Sequence, residues 1–210
     1  MTNGEKGQFC AFAAALLAPP DKALVDDLRQ DELHASLYAH IQTWGGDVRL
    51  LSAFSSDPSR DGLLCALQAE HARLFVERDG ANISLVESTH KPWTADKDCG
   101  MVFAASIGLL MGDCAIHMLS LYQQSAIEIP EEFRSMPDHL VLELEFLALL
   151  YQSGSNEQIE QFISDHLDWI PELQEEMERA NPHPFYRNSV ELIYLFLQNE
   201  LKNGKVKAYG

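Results

Sequence analysis

The chain has 210 residues, of which 46% are hydrophobic and 22% charged, and these proportions are typical of a folded globular domain rather than of a disordered or fibrous protein. Lys and Arg number 15 against 32 Asp and Glu, and the net charge of -17 disfavours nucleic acids and anionic membranes as partners. We therefore expect a basic partner. The four cysteines form no CxxC pair, which favours reduced thiols in the cytoplasm.

Apolar residues recur at helical spacing nearly everywhere, which predicts one all-α globular domain over residues 1–210. Residues 9–20 have the composition of a signal-peptide core, but no basic segment precedes them, and we interpret them as the first helix. No apolar run approaches the roughly 20 residues of a membrane span, so stable membrane insertion is not expected.

In the N-terminal half, Pro19-Pro20 should end the first helix. Asp21 can cap a second helix that runs to about Trp44 and stops at Gly45-Gly46. A third helix is predicted from about Asp61 to Arg78.

The middle of the chain begins with an irregular stretch, residues 79–98, that is rich in turn formers. A long helix is then predicted from Met101 to Gln124. Residues 125–136 link it to the next helix and are a possible hinge between two helical halves, which would allow a domain-swapped dimer.

The helix after this link starts with Pro137, Asp138 and His139 and is apolar on almost every side, which predicts a central position. Ser135 and Asp138 fit a capping box, and His139 could pair with Glu143 one turn later. On spacing alone, Asp138 can be a simple cap and His139 a hydrogen-bonded core residue. Further helices are predicted at residues 159–170, after Pro171 and from Pro184 onward.

Five segments also have a characteristic order and spacing: EHARLF (70–75), LVES (85–88), MPDHLVLELEFLALL (136–150), FISDHLDWIPEL (162–173) and PFYRNSVELIYLFL (184–197). In these segments the chain resembles the TorD/DmsD/NarJ family of redox-enzyme maturation chaperones. It departs from the family at His71, where an aromatic residue is commoner, and at residues 76–80, where Gly-Pro is often found.

The resemblance implies a TorD-like, all-helical cytoplasmic chaperone without enzyme activity. Such a protein binds the twin-arginine leader, and the apo form, of a molybdenum-cofactor oxidoreductase until the cofactor is inserted. The resemblance implies no cofactor of the chaperone's own, although weak guanine-nucleotide binding is attributed to some members. Monomers and domain-swapped homodimers both occur in the family.

A peptide that combines two arginines with an apolar helix needs carboxylates beside a hydrophobic groove. Together with the resemblance, this requirement gives the predicted peptide-binding residues: Leu74, Phe75, Glu87, Ser88, Asp138, His139 and Glu143. Glu70 is a further candidate for the arginines and Trp93 for the apolar wall.

Two other functions fit an acidic helical chain. A helical metalloenzyme with a bundle-type site needs two Glu-x-x-His pairs, but the sequence has one, Glu87 to His90, and no metal ligands or catalytic residues are predicted. Asp113 and His117 lie one helical turn apart and are interpreted as an internal hydrogen-bonded pair. A helical adaptor that binds some other protein is the second alternative.

Overall fold

The computed structural model describes residues 1–55, 59–77 and 79–207, and helices dominate this part of the chain. They are α1 (Asn3–Leu17), α2 (Lys22–Asp27), α3 (Asp31–Trp44), α4 (Arg60–His71), α5 (Asp113–Gln124), α6 (Leu140–Ser153), α7 (Asn156–His166), α8 (Ile170–Ala180) and α9 (Pro184–Lys207). The predicted all-α fold of a single globular domain is confirmed.

Two predicted helix boundaries are confirmed by their caps. The Asp21 side chain accepts a hydrogen bond from Leu24 N at 2.9 Å and so satisfies a free amide at the start of α2. Gly45, with φ at 78°, follows α3 in the left-handed conformation that favours glycine.

The prediction of one helix from Asp21 to Trp44 is wrong, because the chain breaks between α2 and α3. Leu28 is fully buried at the break, and its carbonyl oxygen lies 2.7 Å from His34 Nε2 instead of continuing a helical ladder. Gln30 is extended and starts α3. Core packing of Leu28 therefore overrides the local helical pattern.

The third predicted helix changes its geometry before its predicted end. At His71, α4 passes into a π-helical turn formed by Ala72–Val76, and the predicted end at Arg78 lies outside the described residues. The chain then returns along this turn, with Ala81 N donating to Arg73 O at 2.8 Å and Ile83 N donating to Leu74 O at 2.9 Å.

The long helix predicted from Met101 to Gln124 is wrong in its first half, since α5 begins only at Asp113. Gly108 and Met111 both have positive φ, which breaks a right-handed helix. The backbone of residues 104–106 instead accepts hydrogen bonds from Trp93 N and Thr94 N, each at 3.0 Å. As a result, residues 101–110 expose several large apolar side chains.

The central position predicted for the helix that starts at Pro137 is confirmed by α6. Eight of its apolar side chains and Glu143 are buried, and α1 packs along it. Gly7 permits this packing, because a Cβ there would lie 3.1 Å from the carbonyl oxygen of Ala148. Within the described part of the chain, no helix is both long and apolar enough to cross a membrane.

Candidate functional site

The segment that contains Glu87 is held against the start of α6 by backbone pairing. Leu140 N donates to Leu85 O at 2.7 Å, Glu87 N donates to Asp138 O at 3.0 Å, and an isolated antiparallel bridge joins Val86 to His139. Two segments about 50 residues apart in sequence therefore form one unit.

The predicted capping box of Ser135 and Asp138 is wrong. The Asp138 carboxylate is fully buried and accepts a hydrogen bond from Ser88 N at 2.7 Å, so it caps the neighbouring segment instead. His139 is the residue that caps α6, with its Nδ1 accepting from Val141 N at 3.2 Å. The suggested pair with Glu143 is not formed through this nitrogen.

Glu87 is fully buried, and both of its oxygens are engaged. Oε1 accepts a hydrogen bond from Lys91 Nζ at 2.6 Å, and Oε2 lies 2.8 Å from His166 Nδ1. Burial alone would raise the pKa of Glu87, but the hydrogen bond and charge of His166 outweigh it, so the pKa is lowered. Glu87 is therefore an ionised carboxylate inside the protein.

Lys91 is the cation that neutralises this buried charge. Its ammonium group also donates to the Asp165 carbonyl oxygen at 2.7 Å and forms an ion pair with Asp168. Burial disfavours the charged amine, but Glu87 and Asp168 outweigh this effect and raise the pKa of Lys91. The ammonium group thus ties the Glu87 segment to the end of α7.

Glu143 lies in the same place on α6 and is also fully buried. Among the described residues, neither of its carboxylate oxygens has a hydrogen-bond partner. Burial and the nearby charge of Glu87 raise the pKa of Glu143 well above its ordinary value. One ligand atom each from Glu87, Glu143 and His166 lies within 4.8 Å of the other two.

The imidazole of His166 extends the contacts toward the surface. Its Nε2 lies 2.8 Å from His117 Nδ1, and the two rings stack with their centroids 4.8 Å apart. His117 therefore pairs with His166 and not, as predicted, with Asp113. Asp113 instead accepts a hydrogen bond from Thr94 Oγ1 at 2.7 Å. We call Glu87, Lys91, Asp138, Glu143 and His166 the buried polar cluster.

The π-helical turn forms the second part of the candidate site. Leu74 is fully buried, Phe75 is half-buried against the rings of His71 and Tyr186, and the Val76 side chain is 68% exposed. A buried residue, a half-buried aromatic residue and an exposed valine therefore follow one another along this turn.

His139 lies half-buried at the start of α6, with its ring centroid 4.9 Å from that of Phe133. Burial, with a smaller effect from the charge of His71, lowers the pKa of His139 to about 4. The imidazole is therefore neutral at pH 7 and presents a polar but uncharged edge.

The predicted peptide-binding residues thus divide into two groups. Half-buried side chains are those of Phe75 and His139, and buried ones are those of Leu74, Glu87, Ser88, Asp138 and Glu143. Trp93, the other predicted wall residue, is half-buried against Phe103, with ring centroids 5.0 Å apart.

Two carboxylates predicted to meet the leader arginines already have partners. Glu70 accepts two hydrogen bonds from the Arg73 guanidinium, each at 2.8 Å, and one from His183 N at 2.6 Å. Glu87 is bound by Lys91 and His166. The exposed carboxylates beside the π-helical turn and Phe133 are instead those of Glu77, Glu131 and Glu132.

Sequence reasoning did not single out Lys91, Asp168 or the contact between His117 and His166. The spacing of Lys91 four residues after Glu87 was an available signal for an ion pair. The pairing of His117 with His166 joins two helices 49 residues apart and has no local signature.

Comparison of the sequence with known proteins identifies a family of chaperones for molybdoenzyme maturation. The family described as nitrate reductase delta subunit, to which TorD and NarJ belong, matches residues 45–175, more than half of the chain. The protein therefore belongs to this family.

Two curated relatives are similar to the chain. The chaperone protein TorD of Shewanella piezotolerans is 25% identical over a match that covers 74% of this chain and 70% of that protein. The chaperone protein TorD of Vibrio cholerae is 28% identical over 50% of this chain and 55% of that protein. Both relatives are named as chaperones, consistent with a protein that is not an enzyme.

Proposed function

We propose that this protein is a cytoplasmic chaperone that binds the twin-arginine leader of a molybdenum-cofactor oxidoreductase. By holding the leader, the chaperone delays export and keeps the apo-oxidoreductase accessible for cofactor insertion. It works by binding alone and needs no cofactor of its own for this task. Family membership and the two TorD relatives support the class of partner.

The observation that carries the proposal is that the R-L-F and P-D-H segments meet. The chain leaves the π-helical turn, returns through the Ile83–Leu74 hydrogen bond, and pairs two residues later with Leu140 at the start of α6. The accessible side chains on these two segments include Phe75, Val76 and His139. Together with Phe133, we call them the leader-binding face.

This face combines the two chemistries that the leader requires. Val76 and the edge of Phe75 offer apolar area to the hydrophobic part of the leader. The exposed carboxylates of Glu77, Glu131 and Glu132 accept hydrogen bonds from the arginines. A carboxylate can accept two parallel hydrogen bonds from one guanidinium group, and this bidentate geometry suits arginine better than lysine. The buried polar cluster holds the two segments in register beneath this face.

Isothermal titration calorimetry with a synthetic leader peptide of such an oxidoreductase from the native host tests the proposal. A matched peptide carries two lysines in place of the two arginines. We expect the arginine peptide to bind the wild-type protein. The Val76→Ser substitution should weaken the affinity for this peptide by about fivefold to tenfold through lost apolar contact. Val102→Ser, at a fully exposed valine outside the face, is the control.

No binding of any leader would contradict the proposed function. Equal affinity of the Val76→Ser variant and the wild type would contradict the location of the face. The proposed function would then still hold if the leader binds to another surface.

Residues 125–136 are proposed as the hinge of a domain-swapped dimer. They join α5 to α6, and Ala126 within them has a positive φ of 53°. Light scattering over a hundredfold range of protein concentration, before and after partial denaturation and refolding, would detect the dimer. A monomer under all of these conditions would contradict the hinge.

A further inference from the structure

We infer that Glu87, Glu143 and His166 form a binding site for a divalent first-row transition-metal ion. The three side chains come from the segment after the π-helical turn, from α6 and from α7. Their exposed fractions are 0%, 0% and 2%, so the site is built into the core of the domain. This inference does not depend on leader binding.

The first argument is the distance between the ligand atoms. One oxygen from each carboxylate and one imidazole nitrogen lie within 4.8 Å of one another. Ligands that bind Zn²⁺ tetrahedrally at about 2.1 Å are separated from one another by about 3.4 Å. Side-chain movements of roughly 1 Å or less would therefore bring the three atoms into a coordination shell.

The second argument is the state of Glu143. Its side chain is fully buried, and within the described chain neither oxygen has a hydrogen-bond partner. Buried carboxylate oxygens in folded proteins normally have partners, since an unpaired polar atom in the interior costs free energy. A cation between Glu143 and Glu87 would satisfy both side chains.

The third argument is the arrangement around the two other ligands. Lys91 holds the Oε1 atom of Glu87 at 2.6 Å, so Oε2, which lies 2.8 Å from His166 Nδ1, is the oxygen that would bind the metal. A metal would displace the proton between His166 Nδ1 and Glu87 Oε2, and His166 Nε2 would keep the hydrogen that it donates to His117 Nδ1, which leaves the lone pair of His166 Nδ1 for the metal. Ligating histidines typically donate their second N–H in this way.

A groove open to solvent reaches His166, one of the three proposed ligands. It lies between α5, α6 and α7, has a volume of about 570 Å³, and is lined by both His117 and His166. A set of two carboxylate oxygens and one imidazole nitrogen suits Zn²⁺, Mn²⁺, Fe²⁺ or Co²⁺ better than thiol-selective ions or the all-oxygen sites of Mg²⁺ and Ca²⁺.

Co²⁺ titration of the chelator-treated full-length protein tests the site, with visible absorption and calorimetry as readouts. We expect one Co²⁺ per chain and a higher melting temperature, and Glu143→Gln should weaken binding by at least about tenfold. Glu145→Gln, at an exposed glutamate two residues along the same helix, is the control and should bind as the wild type does.

A second measurement on the wild-type protein covers the case in which the Glu143→Gln variant does not fold. In NMR spectra, Co²⁺ should shift or broaden the imidazole signals of His166 and His117 and leave those of His34 on α3 unchanged. The inference is overturned if Co²⁺ fails to bind stoichiometrically, if it leaves the His166 signals unchanged, or if a folded Glu143→Gln variant binds it as tightly as the wild type.

Discussion

At the scale of single residues, Lys91 places a positive charge against the buried carboxylate of Glu87. The ammonium group lies 2.6 Å from Glu87 Oε1 and also pairs with Asp168. A carboxylate this deeply buried is tolerated only when it is paired and hydrogen-bonded. The Glu87 segment therefore depends on a cation that lies four residues further along the chain.

Replacement of Lys91 by methionine keeps the side-chain length and removes the charge. We expect the Lys91→Met variant to lose about 2–4 kcal/mol of unfolding free energy, because the charge on Glu87 stays buried without the ammonium group in contact with it. Urea denaturation followed by circular dichroism measures the loss, with Lys97→Met at an exposed lysine as the control. Equal stability of the two variants would show that the ion pair does not support the fold.

His139 should make the stability depend on pH. Its pKa is about 4 in the folded protein against an ordinary value of 6.5, so between these values the unfolded chain binds a proton that the folded chain does not. Stability contributed by the neutral imidazole is complete above pH 6.5 and falls as the pH is lowered toward 4, by about 2–3 kcal/mol.

The His139→Asn variant isolates this effect, because Asn can still cap α6 but does not titrate. Denaturation at pH 7, 5.5 and 4 should show a smaller loss of stability on acidification in the variant than in the wild type. Parallel curves for the two proteins would mean that His139 does not remain neutral in the folded state.

At the scale of helices and turns, the part of the fold that follows from local pattern could be predicted. The α6 helix was recognisable because its residues are apolar on nearly every side, and Asp21 and Gly45 mark helix ends by their own chemistry. The start of α6 was misassigned because the partner of Asp138 is Ser88, fifty residues earlier, and no local pattern contains that contact.

The same reason explains the other differences. The segment before α5 has apolar residues at helical spacing, but its backbone pairs with Trp93 and Thr94 from a preceding loop. For the candidate site, motif resemblance named segments that the structure brings together, whereas burial of Glu87, Asp138 and Glu143 arises only when three distant segments pack together. Sequence reasoning could therefore name the segments but not which side chains reach solvent.

Gly80 provides a test of how the π-helical turn is built. A Cβ atom at this position would collide with the carbonyl oxygen of Arg73, where the returning chain crosses the turn. We expect Gly80→Ala to lower the unfolding free energy by about 2 kcal/mol or more and to weaken leader binding, because the backbone must shift.

The control is Gly100→Ala, since a Cβ at residue 100 would have no atom within 4 Å. Chemical denaturation and calorimetry with the leader peptide would be run on both variants. If Gly80→Ala behaved like Gly100→Ala, the close approach of the two segments would be wrong.

At the scale of the whole molecule, four of the five motif segments serve two purposes. Those of α6, α7 and the Glu87 segment build the buried polar cluster, and the π-helical turn with the start of α6 presents the proposed leader-binding face. The net charge of -17 favours encounter with a basic leader at a distance, while the side chains of the face would determine where the leader settles.

The exposed apolar residues 101–110 are the main competing surface on the molecule. Met101, Val102 and Ile107 are more than half exposed there, and apolar patches of this kind often contact other proteins. Any mapping of the leader must therefore distinguish this segment from the leader-binding face.

Photo-cross-linking of the bound leader tests the central claim most directly. A leader peptide with a photoreactive phenylalanine analogue next to its two arginines would be irradiated in complex with the protein, and the cross-linked residues identified by mass spectrometry. We predict cross-links within residues 72–77 and 131–139. Cross-links confined to residues 101–110, or to α8 and α9, which pack together, would contradict the claim that the R-L-F and P-D-H segments together hold the leader.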